Sequence, residues 1–102
     1  MILHTLNKAP GTPGCSNCLN LLGTVDGNAT SPDSLLLLED GVYLGDIANL
    51  ELIKQLNVKI YAIAADIEAR GLTNRYQSEI SLVSYIDFVR LVTEHKLTKS
   101  WI

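Results

Sequence analysis

Positive charge is scarce and scattered in this 102-residue chain, with eight Lys and Arg against eleven Asp and Glu, a formal net charge of −3 and a pI near 5.2. Phosphate binding relies on a dense Lys/Arg footprint, so the chain is not expected to grip nucleic acid by itself. Long hydrophobic runs are missing too. No segment approaches the roughly 20 apolar residues of a membrane span, and no charged n-region with an apolar h-region opens the sequence, so neither anchor nor signal peptide is expected. Cysteine is limited to Cys15 and Cys18. Without a signal peptide, two cysteines point to a reducing, cytoplasmic setting, where they are thiols rather than a structural disulfide. There is no Gly-x-Gly-x-x-Gly and no Gly-Lys-Ser/Thr loop, which leaves nucleotide binding, and a bound cofactor generally, without support. No repeat, low-complexity segment or linker divides the chain. At 47% hydrophobic and 19% charged residues, it reads as a single globular domain over 1–102 with a modest core.

What is present starts with Leu35-Leu36-Leu37-Leu38-Glu39-Asp40-Gly41-Val42. A strand covered on one face alternates apolar and polar residues, whereas a run apolar at every position needs cover on both faces. Four leucines are too few for an independent helix. The run therefore predicts a central strand of a parallel sheet, with Glu39-Asp40-Gly41 at its carboxyl end, where ligands and reactive groups collect in open α/β sheets.

The rest of the chain fits that frame. Ile2 to Leu6 reads as a first strand, and Asn7 to Asn17, with Pro10, Gly11, Pro13 and Gly14, as a loop. Cys18 to Leu22 begins a short helix with Ser16 or Asn17 as N-cap. Gly27 to Asp33 is a second loop. A helix follows Gly41, breaks around Gly45-Asp46 and resumes over Leu50 to Gln55. Val58 to Ile63 and Ile80 to Val83 are strands. Between them Ala65 to Arg70 is a helix capped by Asp66, with Arg70 on the same face and Gly71 ending it in a left-handed turn. Thr73 to Glu79 is a polar loop. Tyr85 to Val92 is an amphipathic helix, and Lys99 to Ile102 a last short strand. Strands alternating with short helices predict a three-layer α/β/α sandwich on a mostly parallel sheet of about five strands. Tyr85, Phe88, Val89, Leu50 and Ile53 are expected in the core rather than at an interface.

Cys15-Ser16-Asn17-Cys18 has the CxxC spacing on a loop running into a helix. A thiol there feels the positive end of the helix dipole, which lowers its pKa and favours the thiolate. Thiolates accept and hand on sulfane sulfur by the logic of thiol–disulfide exchange. Two incidental cysteines in a loop are the bland alternative. Structural zinc needs about four ligands, and two cysteines with the distant His4 and His95 do not make a set, so no metal is expected. Glu39, Asp40 and Asp66 form a candidate acidic cluster at the carboxyl edge, with helix capping and pairing to Arg70 as their ordinary roles. His4, inside a strand, reads as a packed or interface histidine.

Taken together, Ile2-Leu3-His4-Thr5-Leu6-Asn7-Lys8-Ala9-Pro10, Leu35 to Val42, Asp66-Ile67-Glu68-Ala69-Arg70-Gly71-Leu72, Tyr85-x-x-Phe88-Val89 and Ser100-Trp101-Ile102 resemble the TusB/DsrH family over nearly the whole chain. The resemblance implies a DsrE-like fold and a subunit of an intracellular persulfide relay. It also implies two sister DsrE-like subunits, TusC/TusD-like or DsrF/DsrE-like, in a heterohexamer, with a possible downstream acceptor protein. In one branch the relay serves 2-thiolation of the wobble uridine of tRNA, and in the other cytoplasmic sulfur oxidation. The main sulfur-carrying cysteine belongs to a sister subunit, so this chain is expected to be a carrier or accessory subunit rather than a stand-alone enzyme. The sulfur-oxidation branch has a cysteine at the start of the first helix, and Cys18 occupies that place. Cys18 is thus the candidate persulfide carrier and Cys15 a secondary one. The alternatives are a chemically silent binding subunit, homo-oligomeric in one version, and a small thiol-redox or metal-binding protein using Cys15 and Cys18.

Overall fold

Leu35, Leu36 and Leu37 are all fully buried in the computed structural model, which describes residues 2–23 and 33–102. They belong to β2 (Ser34–Leu37), the middle strand of a five-stranded sheet. β1 (Ile2–Leu6) and β3 (Lys59–Ile63) flank it, with β4 (Ser81–Val83) outside β3 and β5 (Leu97–Trp101) outside β1, giving the order β4-β3-β2-β1-β5. Every pairing is parallel. The expected α/β architecture and the two-sided burial of the leucine run are both borne out.

Strand side chains alternate between faces, and two apolar clusters follow. Leu6, Leu35, Leu37, Ile60 and Ala62 share one with Cys15, Cys18 and Leu22 of α1 (Pro13–Gly23), Ile53 of α2 (Leu50–Lys54) and Ile67 of α3 (Ala64–Ala69). Leu3, Leu36 and Ile63 form the other with Leu91 of α4 (Tyr85–Glu94). A helical layer therefore lies on each face.

The turn after β2 is a 3-10 stretch, Glu39–Gly45, followed by a second one over Ile47–Asn49, so the expected break at Gly45-Asp46 is present. Gly41 is required here, because a Cβ on it would stand 2.0 Å from the Leu6 carbonyl oxygen. Gly71 has φ +69°, and the bonds Gly71 N–H to Glu68 O and Leu72 N–H to Ile67 O close a Schellman ending on α3. α4 opens with a capping box in which Ser84 and Asp87 satisfy each other's backbone N–H.

Two local expectations are corrected. α1 starts at Pro13, not Cys18: Thr12 Oγ1 accepts from Cys15 N–H (3.3 Å), making Thr12 the N-cap and Pro13 the first helical residue, where its missing N–H costs nothing. Asp66 lies inside α3, after the cap residue Ile63, and does not cap it. The predicted loop Gly27 to Asp33 falls, apart from Asp33, outside the described residues.

Candidate functional site

Because α1 begins at Thr12-Pro13, its sheet-facing residues are Gly14, Cys15, Cys18 and Leu22, spaced to fall on one helix face. Both cysteines are free thiols, Cys15 at 1% and Cys18 at 0% exposure. Burial pushes the Cys18 thiol up to about 12, and the neighbouring Cys15 adds to the rise. Burial raises Cys15 as well. The expectation of an activated thiolate on a loop is thereby corrected. The helix dipole is present, but desolvation of the charged form outweighs it. As it stands the pair is a packed, protonated part of the core, where cysteine behaves as a small hydrophobe.

A second constellation gathers the strand ends. Asp66 accepts from Glu39 N–H (2.8 Å) through Oδ2 and from the Tyr85 hydroxyl (2.8 Å) through Oδ1, tying the segments after β2, β3 and β4 together. The hydrogen bond to Asp66, with some burial, holds the Tyr85 hydroxyl pKa above its ordinary value. Arg70 donates from Nε and Nη2 to Asp40 Oδ1 (3.1 and 3.0 Å) and from Nη1 to the Asp66 carbonyl. The expected Asp66–Arg70 carboxylate pairing is therefore replaced by Asp40–Arg70. Glu39, Asp40 and Asp66 do meet at the carboxyl edge, but their acceptor capacity goes into joining elements. Among the described residues no three His, Cys, Asp or Glu side chains come together as metal ligands.

The third constellation was only partly visible in the sequence. His4 is buried in β1, and Trp101 Nε1–H donates to its Nδ1 (3.1 Å) with the two rings stacked at 6.2 Å. The indole N–H is a donor only, so Nδ1 carries a lone pair and Nε2 carries the proton, directed to Asp33 Oδ2 at 3.0 Å. Burial raises the Asp33 carboxyl, but its bonds from His4 and the Ile2 amide outweigh that and bring it below the ordinary carboxylate value.

Outside these, α4 carries apolar residues on two faces. Leu91 and, in part, Phe88 pack on the sheet, whereas Tyr85, Ile86, Val89 and Val92 are exposed, Ile86 at 79% and Val89 at 65%. Leu50 is exposed as well and Ile53 is buried. The expectation that all these residues are core holds for Ile53 and Phe88 and fails for Tyr85, Val89 and Leu50.

An all-parallel five-stranded α/β sandwich with a buried thiol pair in its first helix defines the class. Two solved structures share the fold: the ychN protein from E. coli, with TM-score 0.76, 18% identity and 97% of each chain covered, and a protein of unknown function from Methanobacterium thermoautotrophicum, with TM-score 0.73, 12% identity and 97% and 96% of the two chains covered. The family model described as "DsrH like protein" matches residues 12–98. Protein TusB of Escherichia coli (strain SMS-3-5 / SECEC) is 38% identical over 102 residues, covering 98% of this chain and all of the relative. The chain belongs to the TusB/DsrH family. Among the described residues, no helix is long and apolar enough to cross a membrane.

Proposed function

We propose that this chain is a TusB-like subunit of a cytoplasmic sulfur relay serving tRNA modification. What carries the reading is its end-to-end likeness to Protein TusB. In that relay, as the family resemblance implies, sister subunits pass persulfide sulfur toward the wobble uridine, and the main carrier cysteine lies on one of them. This chain is a partner of two such subunits in a heterohexamer. Two features support the accessory role: the raised, buried thiols are poor resting nucleophiles, and α4 offers Tyr85, Ile86, Val89 and Val92 as an apolar docking face. Cys18, with Cys15 second, is a sulfur acceptor only in a state that uncovers it.

Co-expression with two sister subunits, followed by native mass spectrometry, tests the assembly. A complex of two copies of each is expected, and a chain that purifies alone from such a mixture would overturn the reading. Treating the complex with a persulfide donor then tests the thiols. One added sulfur (about 32 Da) on this chain, lost in Cys18→Ser, supports the carrier role. A chain that stays unmodified while a sister is loaded supports the silent one.

A second reading, the sulfur-oxidation relay, is favoured by one residue, because Cys18 sits in the first helix as that branch's cysteine does. Failure of the complex to support tRNA 2-thiolation, with persulfide still loaded on Cys18, would select it.

A further inference from the structure

One sulfur attacks another only by touching it, so a thiol with no exposed surface reacts through an opened state. The question is what opens. Lifting α1 away would expose Leu22 and the sheet beneath it along with both thiols. A smaller movement is available at β5.

β5 is an edge strand, bonded to β1 on one side, and Leu97 to Ser100 are exposed along it. Its end sits on the thiols' own helix. Trp101 packs against the apolar cluster that contains Cys15 and Cys18. Ile102 lies against the first turn of α1, where a Cβ on Gly14 would come within 2.8 Å of the Ile102 carbonyl carbon and oxygen. Gly14 is the residue before Cys15. Thus the strand that is held from one side also covers the start of the thiol helix.

Among the described residues, two side-chain bonds fasten it to β1. At the outer one Thr5 Oγ1 donates to Ser100 Oγ at 3.2 Å. The inner fastening is the chain from the Trp101 indole to His4 and from His4 to Asp33. It has one working proton arrangement, because the indole can only donate and so commits the His4 proton to Asp33.

We infer that the end of β5, with Trp101 and Ile102, is a lid over Cys15 and Cys18, and that Trp101–His4–Asp33 is its latch. The thiols react through a state in which the end of β5 has left β1 while the other strands stay paired. The inference borrows from the proposed function only a reason to guard a thiol.

Access is testable without any sulfur donor, by labelling the full native chain with 4,4′-dithiodipyridine and following release of thiopyridone. The wild-type thiols are expected to label far more slowly than in the denatured chain. Trp101→Phe keeps a ring but loses the N–H, and should label at least about tenfold faster, the factor that goes with losing one hydrogen bond and leaving its buried acceptor unpaired. Ser100→Ala, on the exposed side of the strand, should fold normally and label a few-fold faster. Ile63→Val, under α4 on the opposite face, serves as the control for lost stability. Hydrogen exchange should quicken at residues 97–101 in Trp101→Phe and stay unchanged in β2 and β3. Equal labelling of Trp101→Phe and Ile63→Val at matched urea midpoints would overturn the lid, since the thiols would then open by global unfolding. Wild-type labelling as fast as in the denatured chain would overturn it too. If the lid behaves as expected but no donor loads the chain, the carrier role fails and the lid stands.

Discussion

On one face of the sheet Leu6, Leu35, Leu37, Ile60 and Ala62 lie under α1, α2, α3 and the turn after β2, and on the other, among the described residues, Leu3, Leu36 and Ile63 lie under α4. The first face closes on itself and takes two thiols into its packing. The second is closed by a helix that has to serve as cover and surface at once, so α4 turns Leu91 and Phe88 inward and Ile86 and Val89 outward. A contiguous apolar stripe turned to solvent marks an interaction site more often than it marks a stability feature. The contrast separates two jobs. The thiol face holds most of the core, and the α4 face leaves Tyr85, Ile86, Val89 and Val92 exposed.

The largest effect should come from cutting into the closed face. Leu37→Ala, at a fully buried site hemmed in by several elements, is expected to cost toward the upper end of the roughly 2–5 kcal/mol range for such truncations. Leu36→Ala, equally buried but under α4, which can settle into the space, should fall toward the lower end of that range. Urea unfolding of the two variants measures the difference. Equal costs would remove the distinction between the faces. Gly41→Ala comes next. Its Cβ would meet the Leu6 carbonyl at 2.0 Å, so β1 or the turn must shift, for an expected loss of about 1–3 kcal/mol.

The thiols give the closed face a signature in pH. Cys18 has a folded pKa of about 12, against about 8.5 for an unfolded cysteine. The unfolded chain therefore loses its thiol proton first as pH rises. Stability is fully present below about pH 8.5 and declines above it by up to about 1.4 kcal/mol per unit for this one group. Between pH 8.5 and 10, below the main tyrosine range, urea midpoints measured with a reductant should fall steadily. Cys18→Ala should flatten that slope while lowering stability at pH 7. An unchanged slope would mean that Cys18 is not held protonated by the core.

Much of this frame was legible in the residues. The leucine run could only be a strand buried on both sides, and Gly71 after Asp66-Ile67-Glu68-Ala69-Arg70 could only end a helix. The start of α1 is the local exception, because Pro10, Gly11, Pro13 and Gly14 read as breakers although Thr12-Pro13 is also an N-cap followed by a first helical residue. That signal was in the sequence. The reason Gly14 is a glycine was not, since it lies in contact with Ile102 at the far end of the chain. The same holds for Trp101 with His4 and for Tyr85 with Asp66, pairs that the sheet order brings together and no local pattern announces. Cysteine burial is ambiguous in sequence, because the residue serves equally as a small core hydrophobe and as a nucleophile. On α4 the apolar residues run round more of the helix than one face can bury, and this excess was the available sign that part of it faces outward.

The smallest effect on stability should come from that outward part, and there the comparison is sharpest. Ile86→Lys and Val89→Ser change exposed residues that are members of neither apolar cluster, and should move the unfolding free energy by no more than about 0.5 kcal/mol. If α4 is the docking face, the same variants should lose the sister subunits in native mass spectrometry, because a charge or hydroxyl buried at an interface without a partner is costly. Leu37→Ala should behave in the opposite way, weakening the fold while retaining assembly in the molecules that stay folded. A double dissociation of this kind cannot arise from general destabilisation, which would lower assembly in proportion to stability in every variant. Wild-type assembly by Ile86→Lys would instead move the docking surface away from α4, to the exposed Ile47 and Leu50 beyond the turn after β2.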